Sequence, residues 1–173
     1  NQMRELYEIL EKTAIRKGKL DFISDEVKLI VDDKGKIIEV KKYETGIGQK
    51  LIENFMIAAN TAVGTHVYNM SLPFVYRVHD VPSPEKLKEF ISFVSVLGHI
   101  LVGKTVYEGM KPKEIQAILN QLKDFKEYEI LNKKLLRCMK KAAYSMDNIG
   151  HFGLALDNYS HFTSPIRRYS DTM

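Results

Sequence analysis

A single cysteine, Cys138, among 173 residues excludes an internal disulfide and points to a reducing, cytoplasmic compartment. No apolar run approaches the roughly 20 residues needed to cross a bilayer. The chain carries no glycine-rich phosphate loop, no nucleophile elbow and no zinc-ligand spacing. It also lacks a dense cluster of aspartates, so no metal site is expected within it. Repeats, low-complexity runs and flexible linkers are missing too, which leaves one domain. The chain begins at Asn1 and stops at Met173 inside what reads as a helix. The expectation is a fragment of a larger protein.

Basic residues outnumber acidic ones, 26 to 22, for a net charge of +4. That balance suits a nucleic-acid partner without requiring one. The apolar content of 45% and the length allow one domain with a real core.

The spacing of apolar residues predicts a mixed, helix-dominated α+β fold, with a β-hairpin flanked by helices. Leu6, Ile9, Leu10 and Ala14 argue for an amphipathic helix over residues 2–17, with Gly18 as its stop. Residues 20–23 read as a short extended piece. Alternating β-branched residues on both sides of Asp32-Asp33-Lys34-Gly35 predict a hairpin over 27–43. The two aspartates read as turn residues, not metal ligands. A long helix is predicted from 46 to about 69, with Leu51, Phe55, Ala58, Ala59 and Ala62 as its core face. Gln49, Glu53 and Asn60 form a second, polar stripe on it. That stripe is either a solvated face or the wall of a ligand groove.

A buried strand is expected over 74–78. Ser83-Pro84 marks a further helix start, and Ile115, Ile118, Leu119 and Leu122 mark the core face of a helix over 112–123. Residues 126–144 read as one helix, with Leu131, Leu135, Cys138 and Ala142 inside. Lys133, Lys134, Arg137, Lys140 and Lys141 then share one face. That basic stripe is either solvated or a run of phosphate contacts. Cys138, with no base at recognisable spacing, reads as a core thiol.

Ser164-Pro165 reads as another helix start, because serine caps well and proline suits the first helical position. Arg167 and Arg168 then sit where the helix dipole disfavours cations. A bound phosphate would reverse that penalty, with free N–H groups at Ser164 and two guanidiniums converging on it. Residues 144–171 interleave arginines with Tyr144, His151, Phe152, Tyr159, His161, Phe162 and Tyr169. Rings for bases and cations for phosphates suit a single-stranded path. For the rings, packing in the core is the alternative. The two histidines lack the helical spacing of a metal pair and fit hydrogen-bonding roles.

The run His161-Phe162-Thr163-Ser164-Pro165-Ile166-Arg167-Arg168-Tyr169-Ser170-Asp171, with Asn148-Ile149-Gly150-His151-Phe152-Gly153-Leu154-Ala155-Leu156 before it, resembles a known signature. It is similar to the end of the catalytic domain in the RNase II/RNase R (RNB) exoribonuclease family, and most similar to the RNase R branch. Lys50-Leu51-Ile52-Glu53, Met56-Ile57-Ala58-Ala59-Asn60, Tyr76-Arg77-Val78-His79 and Leu136-Arg137-Cys138-Met139-Lys140 follow the family's order over nearly the whole chain.

The resemblance implies the later part of an RNB catalytic domain. The metal-binding part and the oligonucleotide-binding barrels would lie elsewhere. It implies processive 3′-to-5′ hydrolysis of single-stranded RNA to nucleoside 5′-monophosphates by a monomeric enzyme. Mg2+ or Mn2+ would be held by aspartates outside this chain. Asp21, Asp25, Asp32 and Asp33 do not reproduce that cluster. Arg167 matches the family's catalytic arginine, and Glu53 matches a ribose contact near the 3′ end. Asn54 stands where the family usually has a second glutamate. Asn60, Arg168, Ser164, Arg137, Lys140, His161 and Tyr169 are the further expected substrate contacts. A non-catalytic RNA-binding module is the alternative reading, and a helical protein-interaction domain with no nucleic-acid role is a third.

Overall fold

The computed structural model describes residues 2–22, 27–42, 45–101 and 109–168. Helix α1, Gln2–Lys17, ends at Gly18, whose φ of +110° favours glycine. Strands β1, Val27–Val31, and β2, Ile37–Lys42, form the antiparallel hairpin. Its turn is tied by Asp32, whose Oδ1 accepts from the N–H groups of Lys34 at 2.9 Å and Lys36 at 2.8 Å. The aspartate is therefore a turn residue, as its sequence neighbours predict.

Helix α2 runs from Ile47 to Asn69. Gln49 caps its start by accepting from the Gly46 N–H at 2.7 Å. Its inner face differs from the expected one. The buried residues are Asn54, Asn60 and Gly64, while Ala62 is exposed and Leu51, Phe55, Ala58 and Ala59 are half-buried. Asn54 faces α1 and donates to the Lys50 carbonyl of its own helix; for the face of Asn60 and Gly64, the cause is what crosses it. It meets the backbone of residues 159–160, and a Cβ on Gly64 would lie 3.2 Å from the Ser160 nitrogen. A crossing main chain needs small residues and hydrogen-bond partners rather than an apolar stripe.

Strand β3, Tyr76–Val78, pairs antiparallel with β4, Ala143–Ser145, placing Arg77 opposite Tyr144. Helix α3, Pro84–Val96, starts at Ser83, whose hydroxyl accepts from the Lys86 N–H at 3.4 Å. Helices α4, Pro112–Leu122, and α5, Tyr128–Leu136, complete a three-helix core with α3. Leu87, Phe90, Val94, Ile115, Ile118, Leu122, Leu131 and Leu135 are fully enclosed there. Cys138 packs at its edge, and burial pushes its thiol pKa up, as befits a core thiol.

Two expected helices are corrected. The helix predicted over 126–144 stops at Leu136, and the chain re-emerges as β4. No glycine or proline marks the break. Tertiary partners make it: His79 Nε2 donates to the Lys140 carbonyl at 2.8 Å, and β3 takes residues 143–145 as a strand. The helix start expected at Ser164-Pro165 is a turn among the described residues, closed by the Arg167 N–H donating to the Ser164 carbonyl at 3.2 Å. Proline at the second position of a turn gives the same local signal as proline at the start of a helix. The predicted continuation past Arg168 lies outside the described residues.

Candidate functional site

Helix α2 and the segment 154–168 enclose a groove of about 650 Å³. Gln49, Glu53, Met56 and Asn60 form one wall, at the i, i+4, i+7 and i+11 positions that share a helix face. Tyr159, His161 and Arg168 face them. Glu53 is exposed in the groove, and the Lys19 ammonium lies 3.6 Å from its carboxylate. That same ammonium is 3.5 Å from Glu11, so α1 and α2 share one cation.

The opposite wall is fixed from three sides. Ser160, fully buried, donates through its hydroxyl to the Val75 carbonyl at 2.6 Å. The Arg77 N–H donates to the Tyr159 carbonyl at 2.9 Å. From α2, Asn60 accepts from the Phe162 N–H at 2.8 Å and donates to the Tyr159 phenol oxygen at 3.1 Å. Asn60 is thus buried and tied to the wall, not solvated. The rings continue outward. His161 shares a 2.6 Å hydrogen bond with the Tyr144 hydroxyl, and the Arg77 guanidinium sits 4.8 Å from the Tyr144 ring centre.

Behind this wall, His79 and His151 have structural roles; for His151 this is the hydrogen-bonding role expected of it and His161 from their spacing. The Gly153 N–H donates to His79 Nδ1 at 2.9 Å. The Leu154 N–H donates to His151 Nδ1 at 3.2 Å. Burial, with His79 beside it, pushes the His151 pKa down to about 4.

The structure brings Glu53, Asn60, His161 and Arg168 into one groove. Arg167 and Ser164 sit on the turn just before Arg168, with Arg167 exposed. Tyr169 lies outside the described residues. The expected basic stripe is divided. Lys134 lies over the Phe93 ring, 4.2 Å from its centre. Arg137, Lys140 and Lys141 line a different cleft, of about 800 Å³, with Lys86 and Phe22. Lys140 is paired there with Asp80. The two cavities share no lining residue. Among the described residues, no group of three or more histidine, cysteine or acidic side chains could hold a metal ion. Nor is any helix among them long and apolar enough to cross a membrane.

The sequence offers Tyr159 only as one of several rings for bases, and it gives no role to Lys19, which pairs with Glu53 at the groove. Tyr159 stands 99 positions from Asn60, so no local spacing could connect them.

Comparison with known proteins gives this geometry a context. The chain is 44% identical over 171 residues to Ribonuclease R 1 of Lactococcus lactis and 42% identical over 168 residues to Ribonuclease R of Thermotoga maritima. These alignments cover 99% and 96% of this chain but only 21% and 23% of those relatives. The fold superposes on Mycoplasma genitalium RNase R in complex with ribose-methylated single-stranded RNA with a TM-score of 0.91 at 32% identity. That match covers 98% of this chain and 26% of the other. The same protein in complex with double-stranded RNA gives a TM-score of 0.92 at 32% identity, covering 98% and 30%. The groove residues therefore sit in a fold shared with RNase R, and the RNB domain matches the chain from residue 1 to residue 173: the chain belongs to the RNB family.

Proposed function

We propose that the chain is the later part of the RNB catalytic domain of a processive, hydrolytic 3′-to-5′ exoribonuclease of the RNase R type. Its substrate is a single-stranded RNA 3′ end, and its products are nucleoside 5′-monophosphates. The observation that carries this reading is the groove that joins Glu53, Asn60, Tyr159, His161 and Arg168. In the intact enzyme, read as a cytoplasmic monomer, Mg2+ or Mn2+ is held by aspartates outside residues 1–173. Among the described residues, the acidic side chains form no such site.

The contribution of this segment is positioning and charge stabilisation. The Glu53 carboxylate, an acceptor only, takes a ribose 2′-OH and so favours RNA over DNA. Arg168 holds a phosphate at the groove. Water adds at phosphorus and the bond to the 3′ oxygen breaks, leaving a 5′-monophosphate and a new 3′-OH. Negative charge grows on the non-bridging oxygens during that step, and Arg167 is assigned to offset it. Ser164 precedes this pair and Tyr169 follows it in the sequence, His161 lies on the strand path, and Arg137 and Lys140 belong to the second cleft.

The test is binding and turnover by the chain of 173 residues. It should bind single-stranded RNA weakly, with affinity falling as salt rises, and release no mononucleotides when Mg2+ is added. Failure to bind RNA at low salt overturns the reading. Metal-dependent release of mononucleotides by this chain alone overturns the placement of the metal site elsewhere.

A further inference from the structure

The hydrogen bond between Asn60 and Tyr159 has a fixed direction. The Phe162 N–H can only donate, so the Asn60 atom facing it at 2.8 Å is the carbonyl oxygen. The other end of the carboxamide is then the NH2 group, and it donates to the Tyr159 phenol oxygen at 3.1 Å. Asn60 is 2% exposed and cannot turn over without placing its NH2 against the Phe162 N–H. The phenol oxygen is therefore an acceptor toward α2, and its own hydrogen is left over.

No described residue accepts that hydrogen. Tyr159 lines the groove, with Glu53 and Arg168 among its neighbours there. Its ring is held edge-on between His151 and His161, at 5.3 and 5.8 Å between centres. Burial holds its pKa above the ordinary tyrosine value, so the hydroxyl stays protonated at neutral pH. A pre-positioned neutral donor thus stands in the same groove as a guanidinium, and its partner must be an acceptor.

We infer that the Tyr159 hydroxyl donates to a phosphate oxygen of the RNA strand in this groove, and that Asn60 sets the direction of that donation. The inference rests on the function proposed above. Phosphate is the fitting acceptor because Arg168 offsets its charge and its oxygens present no competing donor. Glu53, which repels phosphate, is left for a hydroxyl.

The experiment measures binding of a 3′-terminal single-stranded RNA oligomer to the chain by fluorescence anisotropy, with thermal melts to confirm folding. Tyr159→Phe keeps the ring and removes the donor, and should weaken affinity about tenfold, the scale of one hydrogen bond to a charged acceptor. Asn60→Asp supplies a carboxylate that accepts from both the Phe162 N–H and the phenol O–H, which turns the hydroxyl away from the groove. In that background, adding Tyr159→Phe should change affinity by less than about twofold, because the donor no longer faces the strand. A purely structural tyrosine would lose the same factor in both backgrounds, and that result overturns the inference. Tyr159→Phe decides alone if Asn60→Asp does not fold, since unchanged affinity overturns the inference. Absence of RNA binding by the wild-type chain overturns the function proposed above, and this inference with it.

Discussion

The Gly153 N–H donates to Nδ1 of His79 at 2.9 Å, and this fixes the imidazole as an acceptor on one side and a donor, to the Lys140 carbonyl, on the other. His79 is thereby held neutral, in the tautomer protonated at Nε2. Protonation of Nδ1 would break one of the bonds that join the end of β3 to the segment carrying the groove wall. A Cβ on Gly153 would lie 2.8 Å from the same nitrogen, so only glycine admits this approach.

Stability should therefore fall in mild acid. His151 has a folded pKa of about 4, below the ordinary 6.5, because of burial and then His79; Arg77 and His161 act in the same direction. His79 is lowered as well, chiefly by burial. Between pH 6.5 and 4 the unfolded chain binds a proton at residue 151 that the folded chain does not. The contribution is fully present above 6.5 and is lost as pH falls toward 4, with a slope for this residue of at most about 1.4 kcal/mol per pH unit. Thermal melts from about pH 7 down to about 4.5 should show a falling Tm. His151→Asn keeps an acceptor for the Leu154 N–H and should flatten the fall. An equally steep fall in that variant would assign the effect to other groups.

The divided basic stripe gives a second expectation. Arg137 and Lys141 line the cleft beside Lys86, and no described carboxylate pairs with either. Lys134 is instead held over the Phe93 ring. Neutralising Arg137 and Lys141 together should lower the salt slope of single-stranded RNA binding by about 0.7 for each phosphate they neutralise. Lys134→Ala should leave that slope unchanged and act on stability. Plots of log affinity against log salt for the wild-type chain and the two variants separate the cases. An unchanged slope in the double variant would make the cleft a solvated face.

Local signals are legible in the sequence where one stretch of chain decides its own structure. The Asp32 turn, the Ser83 cap and the apolar face of α4 need only neighbours within a few residues, and all three form as their residues predict. The end of α5 is not legible, because its cause is His79, 61 positions away from Lys140. The inner face of α2 escapes the sequence pattern for a related reason. An apolar stripe anticipates side-chain packing, whereas Asn60 and Gly64 meet a crossing backbone. For the site itself, spacing offers Glu53 and Asn60 as a polar stripe with two possible meanings. Only the fold places Tyr159 and Arg168 across from them.

Arg167 and Arg168 are adjacent in sequence and differently placed, so removing one or the other should differ in kind. Arg168 is half-buried and lines the groove, where it can hold a phosphate in the ground state. Arg167 is exposed on the turn closed by Ser164. Its assigned interaction strengthens as charge builds at phosphorus, and such an interaction acts on turnover more than on affinity. In the intact enzyme proposed above, Arg167→Ala should lower kcat by about 10²–10³, with RNA affinity changed only several-fold. Arg167→Lys should rescue it incompletely, because an ammonium cannot present the planar two-donor fork. Arg168→Ala should act mainly on binding. Single-turnover cleavage measured beside equilibrium binding for the three variants makes the comparison. Near-normal cleavage by Arg167→Ala with slow cleavage by Arg168→Ala would exchange the two roles, and normal cleavage by both would remove this turn from the active site.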